Sequence, residues 1–136
     1  MNISFKNLIK TKKKINLKTL PFIVVIIDEI AENFNIDLNR IYACGMSNGG
    51  YMSYRLACDL SSKIAAFGSV TGNFMINTEL NDCLDQDREI PIIHFHGTAD
   101  EVVNYFPPSF DGSLTVGESI DFWSDYNNLT TESVET

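Results

Sequence analysis

Histidine is scarce in this 136-residue chain: it has two, His94 and His96, and none follows them. Any chemistry that needs an imidazole downstream of residue 96 is therefore excluded from the chain's own resources. Cysteine is nearly as rare. Cys44, Cys58 and Cys83 show no C-x-x-C spacing, so the usual zinc and dithiol motifs are excluded and no metal or organic cofactor is implied. The apolar run at residues 20–27 is far too short to cross a bilayer, so no membrane span is expected. Acidic residues are missing from the first twenty positions, which hold six of the ten basic ones. The other 116 residues carry four basic against eighteen acidic groups, a balance of −14. A body that acidic repels phosphates and argues against nucleic acid as the main partner.

What remains is ordinary for a globular protein. The apolar fraction is 44% and the charged fraction 21%, and the length suits one domain. The Lys-rich start followed by an apolar run resembles a secretory signal. However, Asp28-Glu29 stands where small residues and a cleavage site belong. Residues 1–21 are accordingly expected to be a poorly ordered basic leader. Cys44, at the end of a core strand, is expected to behave as a small buried apolar residue. Cys58 and Cys83 can pair if the protein is exported, but the odd total and the lack of an evident signal argue against it.

The element order comes from periodicity. Ile23, Ile26, Ile27, Ile30 and Phe34 follow one helix face, with Asp28, Glu29, Glu32 and Asn33 opposite. Residues 40–44, 64–70 and 89–96 read as buried strands, the last with Pro91 near its start. Residues 51–58 and 117–126 read as helices, the second burying Ile120 and Trp123. Loops are expected over 71–89 and 97–114. Strands alternating with helices predict a parallel, doubly wound sheet with its ligand site at the carboxyl ends of the strands.

Between the first strand and its helix stands Gly45-Met46-Ser47-Asn48-Gly49, a match to the G-x-S-x-G nucleophile elbow. Strand, tight turn and helix are the context the motif needs, because the turn must lift a serine hydroxyl above the sheet edge. Gly45 and Gly49 lack a Cβ, so the turn can take unusual angles and the helix can approach the strand. The competing reading is an ordinary Gly-rich βα turn. A serine hydroxyl needs a base, and the partners in this fold class follow in the order serine, acid, histidine. Asp100, in the loop after the third strand, is the candidate acid, with Glu101 beside it as fallback. The plainer reading is that Asp100 caps its own loop. His94 and His96 precede the acid and share one side of their strand, so they read as packed structural residues.

These strings together carry a resemblance. Residues 41–58 resemble the elbow of the polyhydroxybutyrate-depolymerase and feruloyl-esterase group of α/β-hydrolases. Phe95-His96-Gly97-Thr98-Ala99-Asp100 is similar to that group's acid loop, and residues 119–123 to the helix after it. The similarity runs from about residue 22 to 126. It implies an incomplete three-layer α/β-hydrolase sandwich over residues 22–136, with Ser47 as nucleophile, Asp100 as acid and the Asn48 N–H as an oxyanion donor. It also implies an exported serine esterase that cleaves hydroxyalkanoate polyesters or feruloyl and acetyl esters of plant polysaccharides. The alternatives are a non-catalytic domain that keeps the elbow as architecture, or a serine peptidase on the same scaffold.

The chain departs from the group in three places. The group's histidine beyond the acid is missing, and a Lys-rich stretch stands where its first strands and His-Gly oxyanion loop belong. Leu129 occupies a position where the group often has cysteine. A fragment of a longer hydrolase, slow or inactive alone, is the expectation.

Overall fold

The computed structural model describes residues 20–76, 83 and 88–130. The expected leader therefore lies almost wholly outside the described residues, as does part of the 71–89 loop. The chain divides into two compact units, Met1–Leu38 and Asn39–Thr136.

Within the first unit, α1 spans Leu20–Asn33. Its last turn closes where Asn33 Nδ2 donates to the Glu29 carbonyl at 2.7 Å. The apolar stripe read from the sequence is present, but Ile27 is its one buried member. Phe22, Ile26, Ile30 and Phe34 are exposed. Among the described residues, no helix is long and apolar enough to cross a membrane.

The second unit holds β1 (Tyr42–Met46), α2 (Asn48–Asp59), β2 (Ala66–Val70), β3 (Ile92–Phe95) and α3 (Val116–Tyr126). The strands form one parallel sheet in the order β1-β2-β3, with Met46 opposite Val70 and Val70 opposite Phe95. This is the parallel sheet of an incomplete α/β-hydrolase fold, as expected. β1 is as long as its apolar run but lies two residues later, whereas β2 and β3 are shorter than theirs, with Ile64 and Ile90 buried in the approaches to them.

Both helices of this unit pack on one face of the sheet. Tyr54 of α2 meets Phe67 of β2 edge-on at 4.9 Å, and Trp123 of α3 meets the same ring at 4.8 Å. Tyr54, Ala57, Phe67, Phe74 and Trp123 are all nearly or fully buried. Trp123 Nε1 donates to the Ile90 carbonyl at 2.9 Å, and the Asn127 side chain takes the Ile90 N–H while donating to the same carbonyl. These three bonds fix the segment that enters β3 without adding a strand.

The opposite face carries the other pleat positions. Tyr42, Met46, Val70, Ile93 and Phe95 are exposed there, together with Cys44. The expectation that Cys44 is a buried thiol is therefore corrected, because strand alternation turns it away from the helices. Cys58 and Cys83 form a disulfide that closes 25 residues of sequence, which corrects the reading that disfavoured it. Burial of both partners in one place, invisible to residue spacing, decided the matter.

Candidate active site

Ser47 sits between β1 and α2 as the residue preceding the first helical position, with φ 54° and ψ −119°. A non-glycine residue held there stores about 1–3 kcal/mol of backbone strain, which persists only where its surroundings enforce it. The enforcement is visible. Its N–H donates to the Val70 carbonyl at the end of β2, and its own carbonyl accepts from Gly50 and Tyr51. Gly45 and Gly50 serve approach rather than angle, whereas a Cβ on Gly49 would meet nothing within 4 Å. A Cβ on Gly45 would lie 2.4 Å from the Gly49 carbonyl carbon, and one on Gly50 would lie 2.5 Å from Ser69 Oγ. The unusual angle belongs to the serine, so the sequence reading placed the strain on the wrong residue of the motif.

The Ser47 hydroxyl does not cap α2. It is therefore not consumed by the helix, although the first amides of a helix have no partners within it. The Asn48 N–H is the first of these and lies at the positive end of the helix dipole. An oxyanion formed on a carbonyl bound to Ser47 would meet that end. Thr71 also holds a positive φ, 50°, just past β2 at the same sheet edge.

Asp100 lies beyond the carboxyl end of β3, with Gly97 accepting its N–H. Ser47 and the chain leaving β3 thus share the carboxyl edge, with β2 between them. The strand ends stand roughly 10 Å apart, or two interstrand spacings. Asp100 Oδ1 accepts the N–H groups of Val102 and Val103, both at 2.9 Å. The Val103 amide, then that of Val102, holds this carboxyl below the usual carboxylate range. Oδ2 lies 4.0 Å from His96 Nε2. One oxygen thus fastens the turn, as in the plain reading, while the other faces His96 rather than the turn amides. Glu101 is exposed and adjacent.

His94 and His96 do share one side, as read from alternation. Their ring planes are inclined by only 6° with centroids 5.5 Å apart, and they meet edge to edge through His94 Nε2 and His96 Nδ1. His96 Nε2 donates to the Val103 carbonyl at 2.7 Å, and His94 Nδ1 lies 2.9 Å from the Tyr54 hydroxyl. Burial, then the neighbouring His96, lowers the His94 pKa to about 4.

Sequence reasoning did not find the contacts made by Tyr51, one turn beyond Ser47. Tyr51, which donates its N–H to the Ser47 carbonyl, places its ring 5.5 Å from Phe110 and its hydroxyl 3.1 Å from Ser113 Oγ. The loop carrying Phe110 is tied down by Ile76 N–H to Gly112, Leu114 N–H to Phe74, and a single bridge pairing Met75 with Ser113. Phe110 stays about half exposed. The available signal was the spacing of Tyr51, one turn beyond Ser47, since residues four apart share a helix face.

A parallel sheet, a strained serine at a βα turn and an acid at the same sheet edge define an α/β-hydrolase. Residues 1–127 match the phospholipase/carboxylesterase model of that superfamily, and the chain belongs to this family. It is 35% identical over 88 residues to a bifunctional acetylxylan esterase/xylanase of Neocallimastix patriciarum, covering 65% of this chain and 12% of that protein. It is 37% identical over 109 residues to feruloyl esterase B of Piromyces equi, covering 76% and 19% respectively. Identity to feruloyl esterase D of Neurospora crassa is 29% over 89 residues, covering 65% and 29%. The chain thus spans less than a third of the length of each of these relatives.

Proposed function

We propose that this chain carries the nucleophile and acid of a serine carboxylester hydrolase that works through an acyl-enzyme. Ser47 Oγ attacks the ester carbonyl carbon, and its proton passes to an imidazole. The tetrahedral oxyanion is held in part by the Asn48 N–H. The carbon–oxygen bond to the alcohol then breaks, the alcohol leaves with that proton, and water later releases the acid from Ser47. Asp100 Oδ2 orients the imidazole and stabilises its charged form. The observation that carries this reading is the positive φ of Ser47, with Gly45 before it and Gly50 after it at positions where a Cβ would clash.

The esterase names of the relatives favour acyl groups on plant polysaccharides, feruloyl or acetyl, over hydroxyalkanoate polyesters. The half-exposed Phe110 ring beside Tyr51 suits an aromatic acyl group. The Cys58–Cys83 disulfide supports work in an oxidising, extracellular setting. Both histidines of the chain are engaged elsewhere, so the imidazole has to come from outside residues 1–136. The chain by itself is then slow or inactive, since loss of one triad member costs about 10⁴-fold or more.

The test is modification of Ser47, by phosphonylation with a fluorophosphonate (fluoride leaving) or acylation with a nitrophenyl ester (nitrophenol leaving), with and without added imidazole, followed by mass spectrometry. Imidazole-dependent modification of Ser47, absent in Ser47→Ala, is expected. The engagement of His94 and His96 is the one observation favouring a non-catalytic domain. That second reading gains if Ser47 stays unmodified in a folded chain at saturating imidazole.

A further inference from the structure

Tyr54, His94, His96, Val103 and Asp100 form one continuous chain of contacts between α2 and the acid loop. The Tyr54 hydroxyl lies 2.9 Å from His94 Nδ1, His94 Nε2 lies 3.3 Å from His96 Nδ1, and His96 Nε2 lies 2.7 Å from the Val103 carbonyl. The far end fixes the direction. A carbonyl can only accept, so His96 Nε2 carries a hydrogen. With two uncharged rings, His96 Nδ1 is then bare and must accept from His94 Nε2–H. That leaves His94 Nδ1 bare to accept from the Tyr54 hydroxyl. A single placement of protons satisfies all three contacts.

Other features agree with that placement. Burial lowers the His94 pKa to about 4, which keeps this ring uncharged at neutral pH. Burial also raises the pKa of Tyr54, which keeps it a donor. Val103 is gripped at both of its polar groups: its carbonyl by His96 and its N–H by Asp100 Oδ1. Tyr54 lies on α2, two turns beyond Ser47. The His96 side chain is only 1% exposed, and its Nε2 hydrogen is already spent on Val103, so it is not poised to serve as the base.

We propose that Tyr54, His94 and His96 are positioning residues, a directional relay that holds the Asp100 carboxylate in register with the helix bearing Ser47. The relay gives the paired histidines a role that neither the elbow nor the acid motif assigns. It rests on the reading of Asp100 as the acid for its purpose, though not for its existence.

The experiment uses the full chain, labelled with ¹⁵N and ¹³C, and reads both ring tautomers and the Asp100 carboxylate titration by NMR. Both histidines are expected to carry hydrogen on Nε2. His96→Leu is expected to move the Asp100 midpoint upward toward the ordinary carboxylate range. His96→Gln, which keeps a donor where Nε2 stood, restores it. Tyr54→Phe is expected to shift the ring nitrogens of His94 and, through it, those of His96. Finding hydrogen on His94 Nδ1 overturns the direction of the relay. An Asp100 midpoint indifferent to His96→Leu, or His96 nitrogens indifferent to Tyr54→Phe, overturns its positioning role. Ser47 labelling on the same sample separates the two ideas: a relay intact beside an inert Ser47 sinks the esterase reading alone.

Discussion

Ser47 is held against its own backbone preference, and that tension can be measured. Glycine accepts φ 54° freely, so Ser47→Gly should raise stability by about 1 kcal/mol while removing all fluorophosphonate labelling, whereas Ser47→Ala keeps the strain. A urea midpoint that falls in Ser47→Gly would contradict the strain argument. His94 supplies a second residue-level expectation. Its folded pKa, about 4, is depressed below the usual value near 6.5 by burial and then by His96. Between those limits the unfolded chain binds a proton that the folded one refuses. Stability is therefore full above pH ~6.5 and declines as the pH falls toward 4, by on the order of 1–2 kcal/mol given the ring's partial exposure to solvent. Urea melts at pH 7 and pH 4.5 check this, with His94→Gln losing less than the parent chain. Asp100 acts lower still: the stability gained from its depressed pKa is complete above the ordinary carboxylate value and is lost as the pH drops below it. At this scale the sequence spoke clearly where chemistry is local. Ser47 was visible from five residues, but the engagement of His96 with Val103, seven positions away, was not.

Elements were legible in order and type, less so in extent and in what they bury. The helix of residues 51–58 begins earlier, at Asn48, because its first turn belongs to the elbow itself. The final helix owes its sharp start to Thr115 and Glu118, which exchange hydrogen bonds as a capping box. That pair can be read from spacing alone. The apolar stripe of α1 was equally plain, yet periodicity says which residues share a face and not whether anything covers it. The disulfide is the element-scale feature that spacing could not supply. It ties the buried end of α2 to the connection between β2 and β3. Closing about 25 residues removes loop entropy worth roughly 3.5 kcal/mol. Reduction by dithiothreitol should lower stability by about 2–4 kcal/mol in urea melts, and an unchanged midpoint would show that the link contributes nothing.

For the whole molecule, the parallel sheet and its active edge followed from strand–helix alternation, and the family match extends over nearly the full length. What alternation could not show is that one sheet face presents Tyr42, Met46, Val70, Ile93 and Phe95 to solvent. Large exposed apolar patches mark contact surfaces. Against that attraction stands a net charge of −8, whose repulsion salt weakens. Sedimentation should therefore show self-association that grows from about 20 mM to 500 mM sodium chloride, and Phe95→Lys should suppress it. Salt-independent monomers would indicate that the face is not adhesive.

The same face bears on how the polypeptide must be handled. Cys44 stands in its middle, with an unpaired thiol open to solvent, flanked on its strand by Tyr42 and Met46. Two copies meeting there under aerobic storage would bring their thiols together, so a transient encounter could be locked into a covalent dimer by air. Preparations meant for titration or labelling should carry Cys44→Ser, which removes that trap and leaves the structural cystine alone.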